Sequence, residues 1–204
     1  MKTTLKSGIL FASAILAFAQ CSAPKSDSNE ETASTDSKAV KTPSLTLIWE
    51  TPAELITNES VLFDPSSGQL YVSNIGGMDP LEKDGKGSIA IVSTSGEIIN
   101  PAWVTGLNAP KGMAISNGKL FVTDIDEFVE IDIVTAAISN KWQIDGAQFL
   151  NDVAAHNGTV YFTDMNTGKV HAYADGAIST ISEGNTSING IAVANDGTLY
   201  GLDG

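Results

Sequence analysis

Residues 149–164 read FLNDVAAHNGTVYFTD, and residues 187–203 read SINGIAVANDGTLYGLD. Each sets an Asn before a short apolar run, turns on Asn-Gly or Asp-Gly, and closes a second run on Asp. ESVLFDPSSGQLYVSN (59–74) and KGMAISNGKLFVTD (111–124) follow the same template. Both residues of such turn dipeptides tolerate positive φ, so Asn117-Gly118, Asn157-Gly158 and Asp196-Gly197 mark tight hairpins. Gly68 turns the first copy. The closing residues Asn74, Asp124, Asp164 and Asp203 are 50, 40 and 39 residues apart. Behind the hairpins stand further strand signals, such as 128–133 with 137–144 and 169–173 with 177–182.

A period near 40 made only of strands predicts four-stranded β-propeller blades. A β-sandwich of similar hairpins is the competing architecture, and the regular period disfavours it. The longer first step comes from an insertion, GGMDPLEKDGKG (76–87), expected to form a mobile rim loop over the channel mouth. Its DGKGS is no phosphate loop: Pro80 stands where Gly is needed, Gly87 follows Lys86, and the next run reads as strand. No nucleotide partner is therefore expected. About three and a half blades are written in the chain, so it reads as part of a larger ring. Leu45–Trp49 is able to supply an outer strand to the last blade of such a ring.

The start of the chain is of another kind. Lys2 and Lys6 precede the uncharged run Gly8–Ala19, then Gln20 and Cys21, the order of a signal peptide over 1–21. Twelve residues are too few for a spanning helix. Cys21, the only cysteine, stands where a bacterial lipoprotein is cleaved and acylated, which predicts an exported, lipid-anchored protein, periplasm-facing or at the cell surface. Cleavage after Ala17-Phe18-Ala19, giving a soluble periplasmic or secreted protein, is the alternative. Residues 22–44 are polar with two prolines and predict a disordered tether, followed by the propeller domain over 45–204. Without the signal, nine lysines face 24 acids, and no arginine occurs. A net charge of −15 without Arg argues against nucleic acid, and the lone cysteine excludes a disulfide framework or thiolate zinc site.

In a propeller the residues that precede each inner strand gather at one mouth of the channel. Aligned on the template, these are Glu59, Lys111, Asn151 and Asn189. A carboxylate with two amide oxygens suits Ca²⁺, Mg²⁺ or Mn²⁺, and Asp152 is placed to support them from behind. Lys111 either points away or meets an anionic substrate. Asn151 and Asn189 have a plainer reading as backbone-satisfying turn residues, and Glu59 as a solvated acid. Asp124, Asp164 and Asp203 read as bonding the turns between strands. His156 and His171 lack a partner at ligand spacing and read as structural or solvated.

The phrases ESVLFD…GQLYVSN, LNDVA…GTVYFTD and INGIA…DGTLY resemble successive blades of the senescence marker protein, gluconolactonase and luciferin-regenerating enzyme family. The resemblance covers roughly 44–204. It implies a six-bladed propeller with one divalent cation at the mouth and, among enzymatic members, sugar lactone hydrolysis. It also implies that Glu59 and Asn189 are metal ligands, and that Asn151 contacts metal or substrate. Two departures stand out. The family's key Asp belongs to a fifth blade that this chain does not contain, and Phe149-Leu150 replaces a substrate-gripping Arg. The expected function is an exported lactonase-like hydrolase acting on a small molecule, an anionic or sugar lactone, and touching membranes only through a lipid anchor. The alternative is a non-catalytic propeller, similar to the NHL type, that binds a protein or glycan.

Overall fold

A computed structural model describes residues 44–202, so the signal, Cys21, nearly all of the tether and Asp203 lie outside the described residues. It is all-β. The first sheet orders β1 (Asn58–Asp64), β2 (Gln69–Asn74), β3 (Gly87–Ser93) and β4 (Ile98–Leu107). The second comprises β5 (Pro110–Ser116), β6 (Lys119–Asp124), β7 (Glu127–Asp132) and β8 (Ala137–Gln143). The third comprises β9 (Leu150–His156), β10 (Thr159–Asp164), β11 (Lys169–Ala174) and β12 (Ala177–Ser182). A final pair joins β13 (Ile191–Val193) to β14 (Leu199–Gly201). Each strand runs antiparallel to its sequence neighbour within a sheet, the connectivity of propeller blades.

The hairpins form for the reason the sequence gives. Asn117 and Gly118 have φ of 50° and 73°, and Asn157 and Gly158 have φ of 49° and 84°, the paired positive values that match the twist of the flanking strands. Asp196 does not join them. Only Gly197 is left-handed there (φ 88°), and the Asp196 carboxylate accepts the Thr198 N–H at 2.9 Å, which makes the third turn a longer one.

The core lies between sheets, and alternation along the strands decides which face each residue serves. Leu120, Val122, Val129 and Ile131 of the second blade meet Tyr71, Ile89 and Leu107 of the first. Phe121 and Phe128 point the other way, toward Val153, Val160 and Phe162 of the third. A blade covered on both faces therefore needs nearly unbroken apolar runs. On β1 only one face is covered. Val61 and Phe63, on its other face, are 64% and 50% exposed.

Residues 44–50 form no strand. Trp49 instead lies over Gly96 in the β3–β4 turn, where an added Cβ would meet the indole at 2.6 Å.

Candidate functional site at the starts of the inner strands

The inner strands β1, β5, β9 and β13 adjoin in order, and several contacts bring their starts together. A Cβ on Gly112 would lie 2.6 Å from Asp152 Cα and 2.7 Å from the Asn151 carbonyl oxygen, so β5 and β9 approach at backbone distance and only Gly fits. The Thr123 hydroxyl donates to the Asn151 carbonyl. The Thr163 hydroxyl accepts the Asp152 N–H at 3.0 Å and donates to the Asn189 carbonyl at 2.7 Å. Asp152 spans the next joint, accepting the N–H groups of Val153 and Ile191, each at 2.9 Å.

The closing carboxylates do what a repeated Asp suggests. Asp124 accepts the N–H groups of Asn108 (2.9 Å) and Ala109 (2.7 Å), and Asp164 those of Gln148 (3.0 Å) and Phe149 (2.9 Å). Each carboxylate therefore holds the link that leads from the preceding blade into its own. Asn74 differs, since its amide oxygen accepts from the Asn58 side chain at 2.7 Å. The hydroxyls just before these residues, Thr123 and Thr163, escaped the sequence reading. Their signal was nevertheless present, because Ser73, Thr123 and Thr163 recur in the template as regularly as the closing residues.

The four residues aligned from sequence do sit at one end of the sheets, but in unequal states. Glu59 is exposed at the start of β1. Partial withdrawal from water pushes its carboxyl up, Lys111 pulls it back, and Asp152 adds to the rise. Asn151 is only 6% exposed, yet its side-chain amide makes no hydrogen bond among the described residues. Asn189 is exposed; its amide nitrogen donates to Met165 Sδ at 3.6 Å and its amide oxygen accepts no bond among the described residues.

Lys111 departs from the expectation of a substrate-contacting cation. It is 1% exposed, and its ammonium donates to the carbonyls of Ala109 (2.9 Å) and Pro80 (3.1 Å). The ammonium also sits 4.6 Å from the centroid of Phe149, a cation–π contact with the residue that stands where the family's Arg was expected. The physical reason is the insertion: Pro80 belongs to it, and Lys111 fastens it to the start of β5. Lys83 pairs with Asp126 at 2.6 Å and Gly85 N–H donates to Asn108 Oδ1 at 3.3 Å. The rim loop is thus tied down along its length, with the Thr57 hydroxyl also donating to the Gly77 carbonyl at 2.7 Å.

Burial lowers the Lys111 ammonium to about 8, opposed by Asp124 and then Glu59. Between that value and the ordinary 10.5 the unfolded chain carries the extra proton, so unfolding free energy rises with pH through this window, by at most about 1.4 kcal/mol per pH unit. Other lysines and tyrosines titrate nearby, so the expected result is a difference. Denaturant midpoints of the wild type should climb relative to Lys111→Met from pH 8 to 10, and parallel profiles would refute the buried ammonium.

Farther along the inner strands, Leu62, Met113, Ala114, Val153 and Val193 line an apolar cleft of about 440 Å³. Polar chemistry is therefore concentrated at the strand starts. Among the described residues no three His, Cys, Asp or Glu side chains gather to hold a metal by themselves.

No family model and no curated protein matches the chain. Solved structures do. A catalytically inactive virginiamycin B lyase from Staphylococcus aureus with quinupristin superposes at a TM-score of 0.57 and 15% identity, covering 76% of this chain and 52% of that one. A streptogramin B lyase gives 0.57 at 14% identity, over 72% and 48%. The chain spans about half the length of these structures. At such identities the likeness shows the fold alone: the chain is built of β-propeller blades.

Proposed function

We propose that this chain contributes the metal-holding half of a lactonase-like propeller hydrolase, exported and anchored to a membrane through an acylated Cys21. The observation that carries the reading is the state of three oxygen donors at the inner-strand starts. Glu59 and the amide oxygens of Asn151 and Asn189 carry no protein hydrogen bonds among the described residues. One carboxylate with amide oxygens fits a hard divalent cation, Ca²⁺, Mg²⁺ or Mn²⁺. Such a cation supplies Lewis acidity toward a lactone carbonyl and acidifies bound water. Lys111 favours the ionised form of Glu59. Asp152, committed to two backbone N–H groups, fixes the spacing of β9 and β13 beneath the donors. The family resemblance also implies an Asp acting as base.

Melting of the purified protein with and without Ca²⁺ or Mn²⁺ tests the reading, since a ligand at a hundredfold excess over its Kd stabilises by about 2.7 kcal/mol. Glu59→Gln is expected to abolish the gain and Asn189→Ala to reduce it. If neither variant changes metal-dependent melting, a non-catalytic propeller binding a protein or glycan at the same mouth becomes the better account. Mass spectrometry of the mature N-terminus checks the anchor; a diacylglyceryl Cys21 is expected, and an unmodified earlier start would exclude it.

A further inference from the structure

The mouth at the strand starts carries one ammonium of its own, and that ammonium is out of reach. Lys111 is 1% exposed, and its Nζ donates to the carbonyls of Ala109 and Pro80. A substrate carboxylate would have to displace the rim loop to touch it. The other lysines at this end are engaged or distant. Lys83 pairs with Asp126, Lys86 with Asp84 and Lys141 with Glu127. Lys169 opens β11, two strands out from β9 and therefore about 10 Å from it. The Glu59 carboxyl is acted on by burial, by Lys111 and by the Asp152 carboxylate, so two acids share the mouth with a single sealed cation. An anionic substrate meets repulsion there and no accessible counter-charge.

What the mouth offers beside its oxygens is apolar surface. Phe149 and Met165 are both half-buried, and they adjoin, because the Met165 N–H donates to the Phe149 carbonyl at 2.9 Å. Met165 Sδ lies 3.6 Å from the Asn189 amide nitrogen, so this strip begins beside an amide of the donor set. Toward the rim loop, Phe149 holds the Lys111 ammonium 4.6 Å from its centroid. Lys111 in turn holds Pro80, and the next residue, Leu81, is 45% exposed. A polyhydroxylated ring laid on Phe149 and Met165 would leave hydroxyls facing groups that cannot bond them, which costs free energy. A hydrocarbon chain in the same place loses contact with water, which is favourable, and a thioether side chain adapts to the shape of such a chain.

Building on the metal reading of this mouth, we propose that its substrate class is a neutral lactone bearing a hydrocarbon chain, with the ring carbonyl toward Glu59, Asn151 and Asn189 and the chain along Phe149 and Met165. Phe149 and Met165 then determine specificity, and they select against the anionic or sugar lactone expected from the sequence.

The test measures binding to the purified protein in saturating Ca²⁺ by calorimetry, with γ-decanolactone, γ-butyrolactone and glucono-δ-lactone as probes. The methyl signals of Met165, at the mouth, and Met113, in the cleft between the inner strands, locate the bound lactone by NMR. γ-Decanolactone is expected to bind at least tenfold more tightly than either of the others, the gain from withdrawing about two methylene groups from water, and to shift the Met165 methyl. Phe149→Ala and Met165→Gln should each weaken γ-decanolactone about fivefold and leave γ-butyrolactone unchanged. If Phe149→Ala fails to fold once its contact with Lys111 is lost, Met165→Gln decides alone. The proposal is overturned if γ-decanolactone does not bind, if glucono-δ-lactone binds as tightly, if its affinity is unchanged in Met165→Gln, or if only the Met113 methyl moves, which would seat the chain in the cleft. Each of these failures leaves Ca²⁺-dependent melting of the lactone-free protein intact. Absence of that melting response is the separate failure of the metal reading, and it removes this proposal as well.

Discussion

Phe128→Ala is expected to cost about 3–5 kcal/mol of unfolding free energy. Phe128 is fully buried and stacks on Phe162 across the joint between the second and third blades, with centroids 4.1 Å apart and planes 11° from parallel. Phe121 stacks on it from its own sheet at 5.6 Å, and Trp142 and Tyr173 flank it at 6.0 Å. Sheets held on two sides by strand pairing cannot collapse into the hole, so most of the cavity cost remains. Urea unfolding measures it. Val134→Ala, at a side chain 92% exposed, serves as the control and should stay within about 0.5 kcal/mol of wild type. Equal losses in the two variants would refute the aromatic joint.

Asp124→Ala should cost about 2–4 kcal/mol, since it leaves the buried N–H of Ala109 and the half-buried N–H of Asn108 without an acceptor, at about 1–3 kcal/mol each. Burial itself raises the Asp124 carboxyl, against those two bonds and the pull of Lys141 and Lys111, so removing the charge returns part of the loss. Asp124→Asn keeps one acceptor but sets an amide N–H₂ against the other donor, and should fall between Ala and wild type. Hydrogen exchange at Asn108 and Ala109 gives a local reading. Unchanged protection in Asp124→Ala would show that the link into the second blade is held by something else.

The blades were legible because their signals are local. Asn-Gly forces a turn within two residues, and the alternation that follows fixes which face is buried, so the register of β5–β6 and β9–β10 follows from the chain itself. The turn at Asp196-Gly197 was less legible, because Asp and Gly also serve longer turns in which only Gly takes positive φ. The gathering of Glu59, Asn151 and Asn189 at one end could be read from the period. The fate of Lys111 could not, since it depends on Pro80 arriving from a loop 31 residues earlier, and no periodic pattern specifies where an insertion comes to rest. His171 was hidden for a similar reason. A single histidine on a strand looks solvated until the fold shows that one of its nitrogens is buried without a partner among the described residues.

The threonine hydroxyls carry a consequence for how the molecule is assembled. Thr123 and Thr163 belong to the second strand of their own blades, and both reach forward to a carbonyl on the following blade. In a nearest-neighbour array of this kind such a bond exists only when both blades are in place, so each hydroxyl ties the stability of its own blade to that of the one after it. The tie is confined to the middle of the array: in the first blade the corresponding Ser73 hydroxyl turns back to the Ser60 carbonyl of its own sheet at 3.5 Å, and in the fourth copy Leu202 stands at that position without a hydroxyl.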